Sequence, residues 1–201
     1  MKEVDIESIV NMHSSLQYEI VAIVLETDVK EKLMLKELEK VIEGANYHSI
    51  DVRYPKTIFK INGCTFTVYQ NGRIVLVSTL PTIEQSQNVF TETLETKLGN
   101  RNLNTGYTYK TRPHYYILKI VAKVKFPFKI DLTRLKVILG EKCIYEPSIN
   151  PAVLFHVEKD DRKIADAFIY ASGQVIINTR SKLYIDTAKT MLFNVLKQAK
   201  E

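Results

Sequence analysis

Runs of β-branched residues with a two-residue period alternate along this chain with apolar stripes at helical spacing. The first run, EIVAIVL at 19–25, predicts a strand. Asp28 and Glu31 have capping-box spacing and predict a helix starting there. That helix would turn Leu35, Leu38, Val41 and Ile42 inward and end at Gly44. Strands are then predicted around Ile58, over 65–70 and over 73–79, joined by the turn pairs Asn62-Gly63 and Asn71-Gly72. Thr82, followed by Gln85 three residues on, opens a second helix with the stripe Ile83, Phe90, Leu94 and Leu98, closed by Gly99.

The order then repeats. After a polar connector at 100–113, residues 115–126 predict a strand, and Asp131 caps a helix carrying Leu132, Leu135 and Leu139 up to Gly140. Strands follow at 152–158, 164–171 and 174–179, with turns at 159–163 and at Ser172-Gly173. The last helix places Tyr184, Ala188, Met191, Leu192, Val195 and Ala199 on one face.

Individual residues repeat too. Ile20-Val21-Ala22 is matched by Ile120-Val121-Ala122, 100 positions on, and Tyr69 before Gly72 by Tyr170 before Gly173, 101 positions on. The aromatic-or-polar, proline, then alternating pattern of YPKTIFKI from Tyr54 is echoed in YEPSINPAVLFHV from Tyr145. The reading is a duplicated domain: a leader at 1–18, a first repeat at 19–99, the connector at 100–113 and a second repeat at 114–201. Two such α+β repeats can join their antiparallel strands into one curved sheet, with four helices on one face and the other face open. An open face that is largely apolar marks a binding surface.

Composition narrows this only a little. A chain of 201 residues, 45% hydrophobic and 25% charged, is globular, and its net charge of +5 gives a mild bias toward an acidic partner. No apolar run approaches the roughly 18 residues that cross a bilayer, and the acidic N-terminus does not read as a signal peptide. Cys64 and Cys143 are too few and too far apart for a disulfide framework and read as buried thiols. His13, His48, His114 and His156 have no metal-ligand spacing among themselves or with the cysteines. Glycine-rich phosphate loops, nucleophile elbows and paired catalytic carboxylates are missing from the sequence, and Asp160-Asp161 reads as a turn. The expectation is a protein that is no enzyme and needs no cofactor or metal.

With the repeat, YEPSINPAVLFHV, FIYASGQVII and KFPFKIDL in hand, the chain resembles the TATA-binding protein family over residues 18–200, most of all its divergent TBP-like factors. The resemblance implies a pseudo-twofold saddle whose concave sheet presses into the DNA minor groove and kinks it with wedged aromatic rings. By position the wedges fall on Tyr54 and Tyr69 in the first repeat and on Asn150 and Tyr170 in the second. Tyrosine retains the ring but adds a hydroxyl that needs a partner, and asparagine has too little apolar area to unstack a base step. The two central base-contacting positions fall on Glu19 and Lys119. A carboxylate there is repelled by the acceptors of the groove unless it pairs with Lys119 across the pseudo-dyad.

Further groove-facing positions implied by the resemblance are Val21, Val75, Val77, Val121, Ile176 and Asn178, with phosphate contacts from Arg53, Lys60, Arg73 and His156. Glu146, Ser148 and Ile149 match the segment that receives transcription factor IIB, one family acid being retained there and one replaced. Transcription factor IIA would meet the first-repeat edge. The helix at 82–98, however, carries Glu84, Glu92 and Glu95 against a single base, Lys97, and lacks the family's basic surface. The implied function is a nuclear transcription-initiation factor that binds promoter DNA, with weak or altered TATA recognition, and recruits general transcription factors and the RNA polymerase machinery. A divergent but functional TATA binder, and an interaction adaptor that has lost DNA binding, are the alternatives.

Overall fold

The computed structural model describes residues 16–29, 32–49, 53–98 and 114–201. Two compact units emerge, one spanning Val21–Lys119 and the other combining the described residues up to Ile20 with Ile120–Glu201.

In the first unit the strands are β1 (Tyr18–Asp28), β2 (Asn46–His48), β3 (Lys56–Ile61), β4 (Cys64–Tyr69) and β5 (Arg73–Ser78). They lie antiparallel in the order β2-β3-β4-β5-β1. Asn62 and Gly63 have φ of 47° and 75°, the paired positive values of the two-residue turn between β3 and β4. Helix α1 (Leu35–Val41) covers β3, and Thr57 Oγ1 donates to Leu35 O at 3.0 Å beneath it. Helix α2 (Ile83–Thr93) widens at its end into a π-helical turn, Leu94–Leu98. Its start follows the predicted cap, with Gln85 N donating to Thr82 Oγ1 at 3.1 Å. Between helix and sheet sit Phe59, Phe66 and Phe90, the first two rings stacked at 5.0 Å and the last two edge to face at 5.6 Å. The buried hydroxyls there are satisfied, as where Ser86 Oγ meets Ser78 Oγ at 2.8 Å.

The second unit repeats the plan with β6 (Tyr116–Lys125), β7 (Cys143–Ile144), β8 (Ala152–Lys159), β9 (Arg162–Tyr170) and β10 (Gln174–Thr179), ordered β6-β10-β9-β8-β7. Helices α3 (Leu132–Leu139) and α4 (Lys182–Leu196) pack on it. Asp131 caps α3 by accepting from Arg134 N at 3.0 Å. Asp160 and Asp161, at φ 51° and 56°, form the β8–β9 turn. A register shift after Val157 explains why Ile164 and Ala165 are buried side by side. Gly173, at φ +82°, lies so close to the segment following β6 that an added Cβ would fall 2.2 Å from Phe128 O.

Four expectations need correction. The first helix does not begin at Asp28: β1 runs to that residue, and the chain then follows the β4–β5 turn, with Val29 N donating to Gly72 O and Leu33 N to Gln70 O. Backbone groups spent on that turn cannot start a helix, so α1 waits until Leu35. Val41 is 47% exposed rather than inward. In α4 the inward residue of the first turn is Ile185, whereas Tyr184 is exposed. The fourth correction concerns repeat register. Ser78 pairs with Ile23 in the first unit, and its counterpart Thr179 pairs with Ile120 in the second. Ile23-Val24-Leu25 is therefore the equivalent of Ile120-Val121-Ala122, an offset of 97, and the Ile20-Val21-Ala22 match is a coincidence of composition. Gly99 and the 100–113 connector lie outside the described residues.

Candidate nucleic-acid interface

Strand alternation gives each sheet one face under helices and one open face. In the first unit Ile23, Leu25, Phe59, Phe66, Ile74 and Leu76 are buried beneath the helices. The intervening positions form the open face: Val24 and Glu26 on β1, Ile58 and Lys60 on β3, Thr65, Thr67 and Tyr69 on β4, and Arg73, Val75 and Val77 on β5. Val77 is 40% exposed there, more than an apolar strand residue needs to be.

In the second unit Ile120, Ala122, Val124, Val175 and Ile177 are buried. Lys119, Val121 and Lys123 on β6, Leu154 and His156 on β8, Phe168 and Tyr170 on β9, and Ile176 and Asn178 on β10 alternate with the buried set. Four cross-strand neighbours form a row, His156, Asp166, Asn178 and Val121. Asn178 Oδ1 in this row is buried without a hydrogen-bond partner.

The aromatic positions stand at strand ends. Tyr54 precedes β3 and is 63% exposed, with the Arg53 guanidinium 6.0 Å from its ring. Tyr69 ends β4 opposite Lys56, with Arg73 at 5.3 Å over its ring. Both tyrosines line one cleft of about 380 Å³ with Lys32, Arg53, Pro55 and Gln70. In the second unit Tyr170 ends β9 opposite Ala152. The ladders equate Tyr69 with Tyr170 and Lys60 with His156. Asn150 is held back, its Oδ1 accepting from Ala152 N at 2.9 Å and its N donating to Glu146 O. It acts as a turn residue instead of projecting as a wedge. Within that turn Glu146, Ser148 and Ile149 are exposed, Ile149 by 79%.

Glu19 and Val21 do not occupy the expected places. The ladder makes Val24 the counterpart of Val121, and Ala22, the next residue outward on that face, the counterpart of Lys119. Glu19 is exposed three residues further out. The signal that would have found this is the alternation of charge: Glu26 and Asp28 between apolar residues in IVLETDV match Lys123 and Lys125 in IVAKVKF. Thr67 and Asp166, which lie outside the quoted motifs, and Phe168, which opens FIYASGQVII, are open-face positions that the sequence reading did not name.

Carboxylates bring a second electrostatic layer. Arg73 Nε and Nη2 both reach Glu26 Oε2, at 2.7 and 2.6 Å, and this hydrogen bond raises the guanidinium's pKa further. Asp166 Oδ1 meets His156 Nδ1 at 2.5 Å and Lys163 Nζ at 3.1 Å. Burial pushes the Asp166 pKa up, but the hydrogen bonds and charges of His156 and Lys163 outweigh it and hold the carboxyl below its ordinary value. Among the described residues no cluster of His, Cys, Asp and Glu could hold a metal, and no helix is long and apolar enough to cross a membrane.

Residues 114–199 match the family model described as transcription factor TFIID, or TATA-binding protein. No curated protein sequence matches the chain. Among solved structures, the TBP of Methanococcus jannaschii is similar in fold, with a TM-score of 0.74 over 90% of this chain and 99% of that one, at 18% identity. The expected α+β fold of the TATA-binding proteins is therefore the one observed.

Proposed function

From a second repeat that matches the TATA-binding protein family by sequence, and a shared fold over 90% of the chain, which together support membership of that family, we propose a TBP-like transcription-initiation factor that binds duplex DNA through its open sheet faces. The observation that carries this reading is the placement of Tyr54, Tyr69 and Tyr170 at the ends of open faces floored by Val24, Val75, Val77, Val121 and Ile176. Rings at strand ends are where aromatic wedges unstack base steps, and an apolar floor suits a widened minor groove. Arg53, Lys60, Arg73 and His156 are the proposed phosphate contacts, and Lys119 and Asn178 face the bases.

TATA recognition is weak or altered in this reading. Each repeat presents a carboxylate, Glu26 or Asp166, toward a groove edged by acceptors, and Asn150 supplies no ring. The exposed Glu146, Ser148 and Ile149 turn is the proposed landing place of transcription factor IIB, with transcription factor IIA at the first-repeat edge strand β2 and RNA polymerase recruited through them. The compartment is the nucleus. The same two carboxylates favour the second reading, an adaptor that binds these proteins without DNA. Mobility shifts on TATA and non-TATA duplexes, with and without transcription factors IIA and IIB, decide between them. Retarded duplex supports the initiation factor, whereas protein complexes that form only without DNA support the adaptor.

A further inference from the structure

Arg73 and His156, two of the side chains proposed to meet phosphate, are held by carboxylates. Arg73 is held by Glu26 through two short contacts and rests over the Tyr69 ring, and His156 is held by Asp166 together with Lys163. Both pairs lie on open faces, one in each unit, and neither copies the other. The counterpart of Glu26 is Lys123, the counterpart of Arg73 is Gln174, and Asp166 stands where the first repeat has Thr65. An ion pair placed twice by different residues is not inherited from the duplicated unit.

We propose that Glu26 and Asp166 are internal phosphate substitutes that mask Arg73 and the neighbouring His156 and Lys163, so that DNA must displace a carboxylate in each repeat before these side chains can replace its counterions. The inference rests on the DNA-binding reading above. A carboxylate offers the same planar acceptor edge to a guanidinium that a phosphate does, so the two compete for one donor set. At half-exposed sites such a pair is weak enough to be exchanged. A masked cation adds nothing to the salt dependence of binding, while each unmasked one steepens the slope of log K against log salt by about 0.9. The masks thus lower affinity by keeping these side chains off the phosphates, and set a threshold that A·T content alone does not overcome.

The test is a double-mutant cycle on a 20-base-pair duplex (order-of-magnitude length for one site), read between 50 and 200 mM salt, a range suited to slope measurement. Glu26→Gln is expected to tighten binding by about threefold at low salt and to steepen the slope by about 0.9. Arg73→Gln is expected to weaken binding less in the wild-type chain than in the Glu26→Gln chain, where it abolishes that gain. Asp166→Asn is expected to act likewise, its gain abolished by Lys163→Gln. Equal effects of Arg73→Gln in both backgrounds, or unchanged affinity and slope for Glu26→Gln, would overturn the proposal while leaving DNA binding intact. Binding of no duplex by any of the chains at 50 mM salt would instead sink the DNA-binding reading itself, and the masks with it.

Discussion

Gly173 and Gly44 make a matched pair for testing how the second unit is built. Both have left-handed backbone, at φ +82° and +73°. An alanine at either site carries the same cost for that conformation, about 1–2 kcal/mol, partly offset by the reduced freedom of the unfolded chain. Their surroundings differ. At Gly44 nothing lies within 4 Å of an added Cβ, whereas at Gly173 Phe128 O would be at 2.2 Å and Phe126 O at 2.9 Å. Those are backbone atoms, so relief requires moving the end of β6 away from β10. Such a move strains the bonds from Phe126 N to Gly173 O and from Gly173 N to Tyr170 O, both 2.9 Å. Gly44→Ala should therefore cost about 1 kcal/mol and Gly173→Ala about 3 kcal/mol or more, the excess being overpacking. At about 3 °C per kcal/mol for a chain of this size, the melting temperatures should drop by about 3 °C and about 9 °C. Urea titrations with unchanged m-values give the free energies directly. Equal losses at the two sites would refute the claim that the β9–β10 turn packs against the backbone of Phe126 and Phe128.

Three further outcomes follow from the open faces. Asn178→Thr shortens a side chain whose buried Oδ1 has no partner, and should stabilise the chain by about 1 kcal/mol, read as a higher urea midpoint. Asp166 has a lowered pKa, so its contribution is present above the ordinary carboxylate value of 3.8 and lost as pH falls below it through the folded value. The stability gap between wild type and Asp166→Asn, less than about 1 kcal/mol for so exposed a pair, should close in acid and persist at neutral pH in thermal melts. Ala22→Asn with Lys119→Asn should raise affinity for A·T-rich duplex by adding groove donors, while Glu19→Asn should not. Equal gains from Glu19→Asn in a mobility shift would restore the sequence-based placement of the base-contacting residues.

Much of the fold was legible because its signals are local. Asn62-Gly63 forces the β3–β4 turn, Thr82 and Asp131 cap α2 and α3, and the two-residue alternation separates helix-covered from open positions. The repeat itself was legible for the same reason. What the sequence misplaced is register, which depends on hydrogen bonds between distant strands: Ile23 opposite Ser78 is a contact 55 residues apart in the chain. The tripeptide Ile-Val-Ala fits either of two placements, since apolar residues flank it on both sides. Every groove-facing assignment on β1 moved when the ladder was read. The ion pairs were hidden too, because Glu26 and Arg73 are 47 positions apart and meet only through the β1–β5 pairing. Tyr69 and Tyr170 stand at equivalent ladder positions, as their spacing before Gly72 and Gly173 suggested, but the local bond that turns Asn150 into a turn residue was not legible.

The claim that the open faces bind duplex DNA rests most directly on Tyr54, Tyr69 and Tyr170. Replacing all three with alanine removes the rings at the ends of β4 and β9 and before β3 while leaving the buried phenylalanines of the core in place. Base–aromatic stacking is worth about 1–3 kcal/mol per ring, so the triple variant should lose at least about 100-fold in affinity. The decisive measurement is fluorescence anisotropy of a labelled duplex at 50 mM salt, a low-salt condition that favours phosphate contacts, with melting curves of both chains alongside. The account predicts wild-type binding that weakens as salt rises, and its loss in a triple variant that still folds. Duplex bound equally by both chains, or by neither, would contradict it.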